Sequence, residues 1–257
     1  MRFKGRSAII TGGGTGIGEA AALSLVRNGA RVLIAGRREE KLKEVCGKAE
    51  EEGLSIEYKV CDISVQSDCA ATVETAFREH GKIDILFNNA GIIFSGPSHE
   101  VETDRFQQMF DINVKGAFMM CKYAIPHMIS AGRGFIVNNS SVLGLKGFAG
   151  LSTYSASKGA LVQLTRSMAL EYADKGLRIN AVCPGGVWTP MFDSYLERAE
   201  DADAAQAFME SLHPMGRLAD SYEIAGAVLF LCDDKVCLLY TSPSPRDRTR
   251  SRMPSSA

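Results

Sequence analysis

Three groups of residues have types and spacings that could do chemistry. The first is Thr11-Gly12-Gly13-Gly14-Thr15-Gly16-Ile17-Gly18. Glycine at 12, 16 and 18 permits a tight turn, close backbone approach to a pyrophosphate and close packing of the segment that follows. A helix opening at such a turn favours an anion at its N-terminus, so the pattern suits a dinucleotide. The second group is Gly36-Arg37-Arg38, where no acidic residue stands to hold a ribose diol. An arginine fork there suits a 2′-phosphate instead, although both arginines could simply pair with Glu39, Glu40 and solvent. The third is Tyr154 and Lys158, four apart and therefore on one face of a helix. A phenol titrates at about 10, and poising it at about 7 takes roughly 4 kcal/mol of preferential stabilisation of the phenolate. An adjacent ammonium in a partly desolvated cleft supplies that order. Taken alone, the spacing would read as an ordinary amphipathic helix face.

The elements that must position these groups follow from hydrophobic patterning. Short apolar runs at Ser7–Thr11, Arg31–Ala35, Ile56–Cys61, Ile83–Phe87, Gly134–Asn139 and Arg178–Cys183 read as strands. Helical periods cover Gly16–Asn28, Glu39–Glu52, Gln66–His80, Thr103–Ser130, Ser152–Asp174 and Ser221–Cys232. Repeated strand-then-helix order implies parallel strands joined by right-handed crossovers, with both sheet faces covered. The expected fold class is α/β: one doubly wound parallel sheet, a Rossmann fold, in a single domain over residues 1–236. Ligands of such sheets bind beyond the carboxyl ends of the strands, and the glycine-rich turn follows a strand and opens a helix.

Composition narrows the function. The 257 residues are 46% hydrophobic and 23% charged, as in a soluble domain able to bury a core. Lys plus Arg number 29 against 30 for Asp plus Glu, so no broad field steers the chain to nucleic acid or an anionic membrane. No apolar run approaches the roughly 20 residues of a membrane helix. The stretch after Met1-Arg2-Phe3-Lys4 is too short for a signal peptide, which gives a cytoplasmic expectation. Cysteines at 46, 61, 69, 121, 183, 232 and 237 form no Cys-x-x-Cys pair. Histidines at 80, 99, 127 and 213 form no paired ligand motif, so no metal is expected and they read as surface or satisfied side chains. From Cys237 the composition changes to a Ser/Pro/Arg tail carrying four arginines and one aspartate. On protein chemistry alone that is a disordered extension or basic arm. Back-translated, however, its two ends resemble a transposase-type sequencing-library adapter with a variable index between them. Residues 237–257 are therefore expected to be read-through, with the last strand of the sheet missing or replaced.

The glycine spacing, taken with Asn88-Asn89-Ala90-Gly91, Tyr154-x-x-x-Lys158 and Pro184-Gly185, resembles the short-chain dehydrogenase/reductase family over Arg6 to about Cys232. The resemblance implies hydride transfer between a nicotinamide and a ketone or secondary alcohol, with Tyr154 as general acid or base and Lys158 lowering its pKa. It implies that Ser141 orients the reacting oxygen, with Ser140 as competitor, and that Asn113 organises a water connecting Lys158 to solvent. Cofactor contacts are implied at Gly12, Thr15, Gly16, Ile17 and Gly18, at Asp62 and Ile63 for the adenine, and at Asn89, Ala90 and Gly91. Tyr154, Lys158, Pro184 and Gly185 also touch the cofactor, and the Val187 backbone and the Thr189 side chain hold the carboxamide. Asp62 could instead cap the next helix, and Trp188 could be a packing or pocket-wall residue. With Arg37 and Arg38, the expected cofactor is NADP(H) in preference to NAD(H). Pro190 to Met215 should form a lid, and its apolar residues, with Leu143, Leu145, Phe148 and Trp188, suit a moderately apolar small molecule. The family resemblance also implies a homotetramer or homodimer built on Thr103–Ser130 and Ser152–Asp174. The alternative is a dinucleotide-binding sensor or structural protein without turnover, against which the set Asn113, Ser141, Tyr154 and Lys158 argues.

Overall fold

The structure is a computed structural model that describes residues 1–197 and 199–236. Six strands, β1 (Ser7–Thr11), β2 (Arg31–Gly36), β3 (Ile56–Val60), β4 (Ile85–Asn88), β5 (Gly134–Asn139) and β6 (Leu177–Val182), form one parallel sheet in the order β3-β2-β1-β4-β5-β6. The helices are α1 (Gly16–Arg27), α2 (Glu39–Glu51), α3 (Gln66–His80), α4 (Thr103–Phe110), α5 (Ala117–Ser130), α6 (Ser152–Glu171), α7 (Pro190–Leu196), α8 (Ala202–Ser211) and α9 (Ser221–Leu231). This is the doubly wound Rossmann architecture expected from the strand–helix alternation. Residues 237–257, where the adapter-like tail and the replaced last strand were expected, lie outside the described residues.

The central strands are apolar throughout because both faces are covered, and alternate side chains divide between two cores. Ala8, Ile10, Val32, Ile34, Ile85, Phe87, Phe135 and Val137 pack under α1, α2 and α9. Ile9, Leu33, Leu86 and Ile136 pack under α3, α5 and α6 on the other side. Burial of these side chains, at about 1.5–3 kcal/mol each, makes the sheet the rigid platform of the molecule. Strand order reverses between β1 and β4, which opens a crevice between their carboxyl ends.

The opposite rim of the sheet is closed by charge pairing. The buried Asp84 carboxylate accepts Arg6 Nη1 at 3.0 Å and the Ser7 backbone N–H at 2.9 Å, with Lys82 Nζ at 3.1 Å. Arg6 and Arg133 both pair with Asp234. Ser7 Oγ lies 2.7 Å from His80 Nδ1, and His80 Nε2 lies 2.9 Å from Glu57.

The single helix expected over Thr103–Ser130 is divided into α4 and α5 by a π-helical turn at Asp111–Gly116. Two contacts account for the wider turn. Asn113 spends its side-chain amide on the Ile92 backbone, and Gly116 lies so close to Ile63 that a Cβ would come within 2.7 Å of Cδ1. The lid expected over Pro190–Met215 contains the two short helices α7 and α8.

Candidate active site

The glycine-rich turn is stitched to its neighbours across the crevice. Gly12 has φ +64°, and a Cβ there would meet Ala90 Cα at 2.9 Å; at Gly18 it would meet the Gly12 carbonyl oxygen at 2.2 Å. Only glycine allows these approaches. Thr11 Oγ1 accepts the Asn89 and Ala90 backbone N–H groups at 3.0 and 3.2 Å. Asn89 Nδ2 donates to the Thr11 and Gly12 carbonyls at 3.1 Å, and Asn139 Nδ2 donates to Asn89 Oδ1 at 2.9 Å. Thr11 and Asn139 thus tie three strand ends together, although nothing in the sequence separates them from other polar residues at strand ends. Thr15 occupies the cap position of α1 without capping it; its hydroxyl accepts from Arg38 Nη2 at 3.4 Å instead. No side chain therefore caps the first turn of α1, whereas α9 is closed by a reciprocal Asp220–Glu223 capping box. An open helix N-terminus behind a glycine turn, flanked by Arg38, fits the phosphates of a dinucleotide.

Beyond β2 and β3, the Arg37 guanidinium stands 3.9 Å from Asp62 Oδ2. Asp62 Oδ1 accepts the Ser64 N–H at 2.9 Å and Ser64 Oγ–H at 2.7 Å. Burial pushes the Asp62 carboxyl up, but the Ser64 bonds and Arg37 outweigh it and hold the group below its usual range. The residue at the N-cap of α3 is Val65, so Asp62 serves its own loop rather than capping that helix. Arg37, Asp62 and Ser64 line a cleft of about 230 Å³ together with Gln107, Gln108 and Asp111 of α4 and the π turn. Ile63 is buried in the core against Gly116.

The chemical end of the crevice lies between β5 and α6. Ser141 Oγ accepts the Leu143 N–H at 3.1 Å and opposes the upward shift of the Tyr154 phenol, while the competing Ser140 donates to the Lys158 carbonyl at 2.9 Å. Lys158 Nζ donates to the Asn139 carbonyl at 2.7 Å and lies 5.7 Å from the Tyr154 ring centroid. Gly91 lies against Lys158 and Asn113, since a Cβ there would meet Asn113 Oδ1 at 3.2 Å and Lys158 Nζ at 3.4 Å. Asn113 Nδ2 donates to the Ile92 carbonyl at 2.9 Å and to Ser157 Oγ at 3.1 Å, and Ser157 Oγ donates to the Tyr154 carbonyl at 2.8 Å. Ser157, not singled out from sequence, thereby links the π turn to the Tyr154 turn of α6. Burial pushes the Tyr154 phenol up to about 12, opposed by Ser141, and brings the Lys158 ammonium down to about 8, opposed by Cys183. The expectation of a phenol poised near 7 is corrected accordingly. Lys158 is engaged with Asn139, and desolvation of the ring dominates in the chain by itself.

The segment after β6 forms the far wall. Val142 N–H donates to the Pro184 carbonyl at 2.8 Å, which ties this segment to the Ser141 turn. Val187 bridges Ala219, and Trp188 N–H donates to the Ala219 carbonyl at 2.9 Å. Thr189 lies over the glycine-rich turn, where a Cβ on Gly16 would come within 3.0 Å of its Cγ2. Trp188 packs edge-on against Phe192 at 5.0 Å, and Phe192 stacks on Tyr195 at 5.8 Å. Trp188 is 37% exposed and Leu145 57%, so this side offers an apolar, partly open surface.

Comparison with known proteins bears directly on this arrangement. A family model described as short chain dehydrogenase matches residues 6–200. The chain belongs to the short-chain dehydrogenase family. This dehydrogenase is 41% identical over 235 residues to the 2,5-dichloro-2,5-cyclohexadiene-1,4-diol dehydrogenase of Sphingobium indicum, covering 90% of this chain and 91% of that one. Its structure resembles that of levodione reductase with a TM-score of 0.90 and 33% identity, over 93% and 94% of the two chains. It also resembles an NAD+-bound xylitol dehydrogenase (TM-score 0.87, 33% identity, 91% and 95% covered). An actinorhodin polyketide ketoreductase with NADPH is similar as well (TM-score 0.88, 31% identity, 91% and 92% covered). The protein is thus an oxidoreductase that uses a nicotinamide cofactor and acts on alcohol and carbonyl groups of small molecules. Among the described residues, no helix is long and apolar enough to cross a membrane.

Proposed function

We propose that the dehydrogenase reduces apolar, alicyclic ketones to secondary alcohols with NADPH, and that Tyr154 supplies the proton. The observation that carries this reading is the placement of Ser141, Tyr154 and Lys158 at one end of the crevice, with Lys158 Nζ 5.7 Å from the Tyr154 ring centroid. A neutral phenol is the form that donates, and at neutral pH Tyr154 holds that proton at its ordinary value as well as at the raised one. The nicotinamide supplies the hydride when bound. Tyr154 Oη gives its proton to the substrate oxygen, while Ser141 Oγ–H hydrogen-bonds the same oxygen and steadies the negative charge that develops there. Lys158, cationic below about 8, lends positive charge behind the ring and favours the phenolate that proton transfer leaves. Asn113 and Ser157 keep the Tyr154 turn in register with the Ile92 loop.

For the cofactor, Gly12, Thr15, Gly16, Ile17 and Gly18 with the open end of α1 would hold the pyrophosphate. Asp62 and Ile63 would face the adenine, Asn89, Ala90 and Gly91 would lie along the ribose side, Pro184 and Gly185 would lie against the cofactor, and Val187 and Thr189 would take the carboxamide. Arg37 and Arg38 favour the 2′-phosphate of NADP(H), since both guanidinium groups are exposed at that corner and Arg37 has only a 3.9 Å, exposed pairing with Asp62. The aromatic wall of Trp188, Phe192 and Tyr195 supports a flat or cyclic apolar substrate, in keeping with the cyclohexadienediol dehydrogenase among its relatives. Exposed Phe118 on α5 and Leu170 on α6 support a homodimer or homotetramer.

The test is oxidation of NADPH and of NADH by the purified protein across cyclohexanones, linear ketones and keto-sugars, with Arg37→Ala alongside. The expected result is NADPH-driven reduction of the cyclic ketones, with Arg37→Ala weakening NADP(H) by about tenfold and sparing NAD(H). Equal losses for both cofactors would refute the arginine assignment. Tight binding without turnover would favour the sensor reading.

A further inference from the structure

His213 lies outside the catalytic line, yet both of its ring nitrogens are engaged. Nδ1 is 2.8 Å from the Met209 carbonyl oxygen and must donate to it; Nε2 accepts the Gly186 backbone N–H at 2.8 Å. One neutral tautomer satisfies both bonds, and a doubly protonated ring could not accept from Gly186. The backbone is shaped for the ring. A Cβ on Gly185 would stand 2.7 Å from Nε2, and one on Gly186 would stand 3.0 Å from Cε1 and 2.5 Å from Leu218 Cδ2. The carbonyl of Gly186 is held as well, accepting the Ala219 N–H at 3.0 Å. Gly186 immediately precedes Val187, and three residues on Thr189 rests over Gly16 of the glycine-rich turn. The imidazole therefore fastens α8, through Met209, to the segment that faces the crevice.

We infer that His213 is a positioning residue that presets the Pro184–Thr189 segment for the nicotinamide end of the dinucleotide, an inference that rests on the carboxamide contact proposed above for that segment. Its effect is preorganisation: the loop is ordered by the lid before the ligand arrives, so binding does not have to order it. The adenosine half of the ligand, at the far end of the crevice by Arg37 and Asp62, gains nothing from the clamp.

The experiment compares wild type with His213→Leu and His213→Ala, which lack the acceptor, and His213→Gln, whose carbonyl oxygen can still accept from Gly186. Binding of NADPH and of 2′-phospho-ADP-ribose, which lacks the nicotinamide, is measured by calorimetry. Amide hydrogen exchange of residues 184–189 is followed without ligand. The expected result is about tenfold weaker NADPH binding in the Leu and Ala variants, the size of one lost hydrogen bond. Fragment binding should stay unchanged, exchange at 184–189 should quicken, and Gln should restore most of both effects. Equal weakening of NADPH and the fragment, or unchanged NADPH binding in either acceptor-free variant, would overturn the inference. If wild type binds neither ligand, the cofactor reading itself fails, and the clamp's role with it; an unaffected acceptor-free variant beside a wild type that binds NADPH removes only the role of His213.

Discussion

The two rims of the sheet are built on opposite principles. At the amino ends of the strands, buried polar groups are saturated: Asp84 is met by Arg6, Lys82 and the Ser7 amide, and His80 lies between Ser7 and Glu57. At the carboxyl ends, groups are left with capacity to spare. No side chain caps α1, Asn139 Oδ1 is buried without a partner, and Tyr154 and Lys158 are both shifted by desolvation. The same fold thus concentrates stability at one rim and places at the other the unfavourable burial that binding and proton transfer require. The contrast implies that removing polar groups has opposite effects on stability at the two rims.

The largest effect should come from Lys158→Met. Turnover is expected to fall by about 10³, on the scale of a lost electrostatic stabiliser of the reaction. Thermal stability should rise, because an ammonium lowered from 10.5 to about 8 opposes folding by about 3 kcal/mol at neutral pH. That cost is present below about 8 and is relieved as pH climbs toward 10.5, so the stability gain of the variant should shrink in alkaline buffer. In wild type, reduction should decline as pH rises through about 8 and Lys158 loses its proton. Denaturant melts and pH–rate profiles of both proteins check this, and a destabilised Lys158→Met would break the comparison. At the other rim, Asp84→Ala should lower stability by about 3 kcal/mol, because it leaves the buried Ser7 amide without its acceptor and removes one of the two carboxylates that meet Arg6, while leaving kcat of the folded fraction unchanged. A kcat loss there would mean that the rims are not separable.

A smaller effect sharpens the same contrast. Burial holds the His80 ring below the usual histidine range, against Glu57. The unfolded chain therefore takes up a proton as pH falls below about 6.5 while the folded chain does not, and stability present above that pH is lost over the window down to the folded value. Melting temperatures from pH 8 to pH 5 should fall less steeply in His80→Asn than in wild type; parallel slopes would exclude His80 as the source.

Much of this was legible in the residues. Strands buried on both faces read as apolar runs, and the glycine-rich turn, Tyr154 and Lys158 announce themselves because their chemistry fixes residue type and spacing together. The π turn was not legible, since one turn of wider winding leaves the helical pattern of Thr103–Ser130 almost intact and its cause is a tertiary bond from Asn113 to Ile92. His213 was passed over with the other scattered histidines because its partner is a backbone amide 27 residues earlier. Arg6, Asp84 and Asp234 were equally silent, because pairing across the sheet rim has no local periodicity. The upward shift of Tyr154 depends on how deeply the ring is buried, which spacing alone does not contain.

The most direct test of the account is Tyr154→Phe, assayed for NADPH oxidation with the best cyclic ketone and for NADPH binding on the same preparation. The account predicts turnover reduced by about 10³ or more with binding within about threefold of wild type, since the lost hydroxyl carries the proton and not the ligand. Undiminished turnover with intact binding would contradict it, placing the proton donor somewhere other than Tyr154.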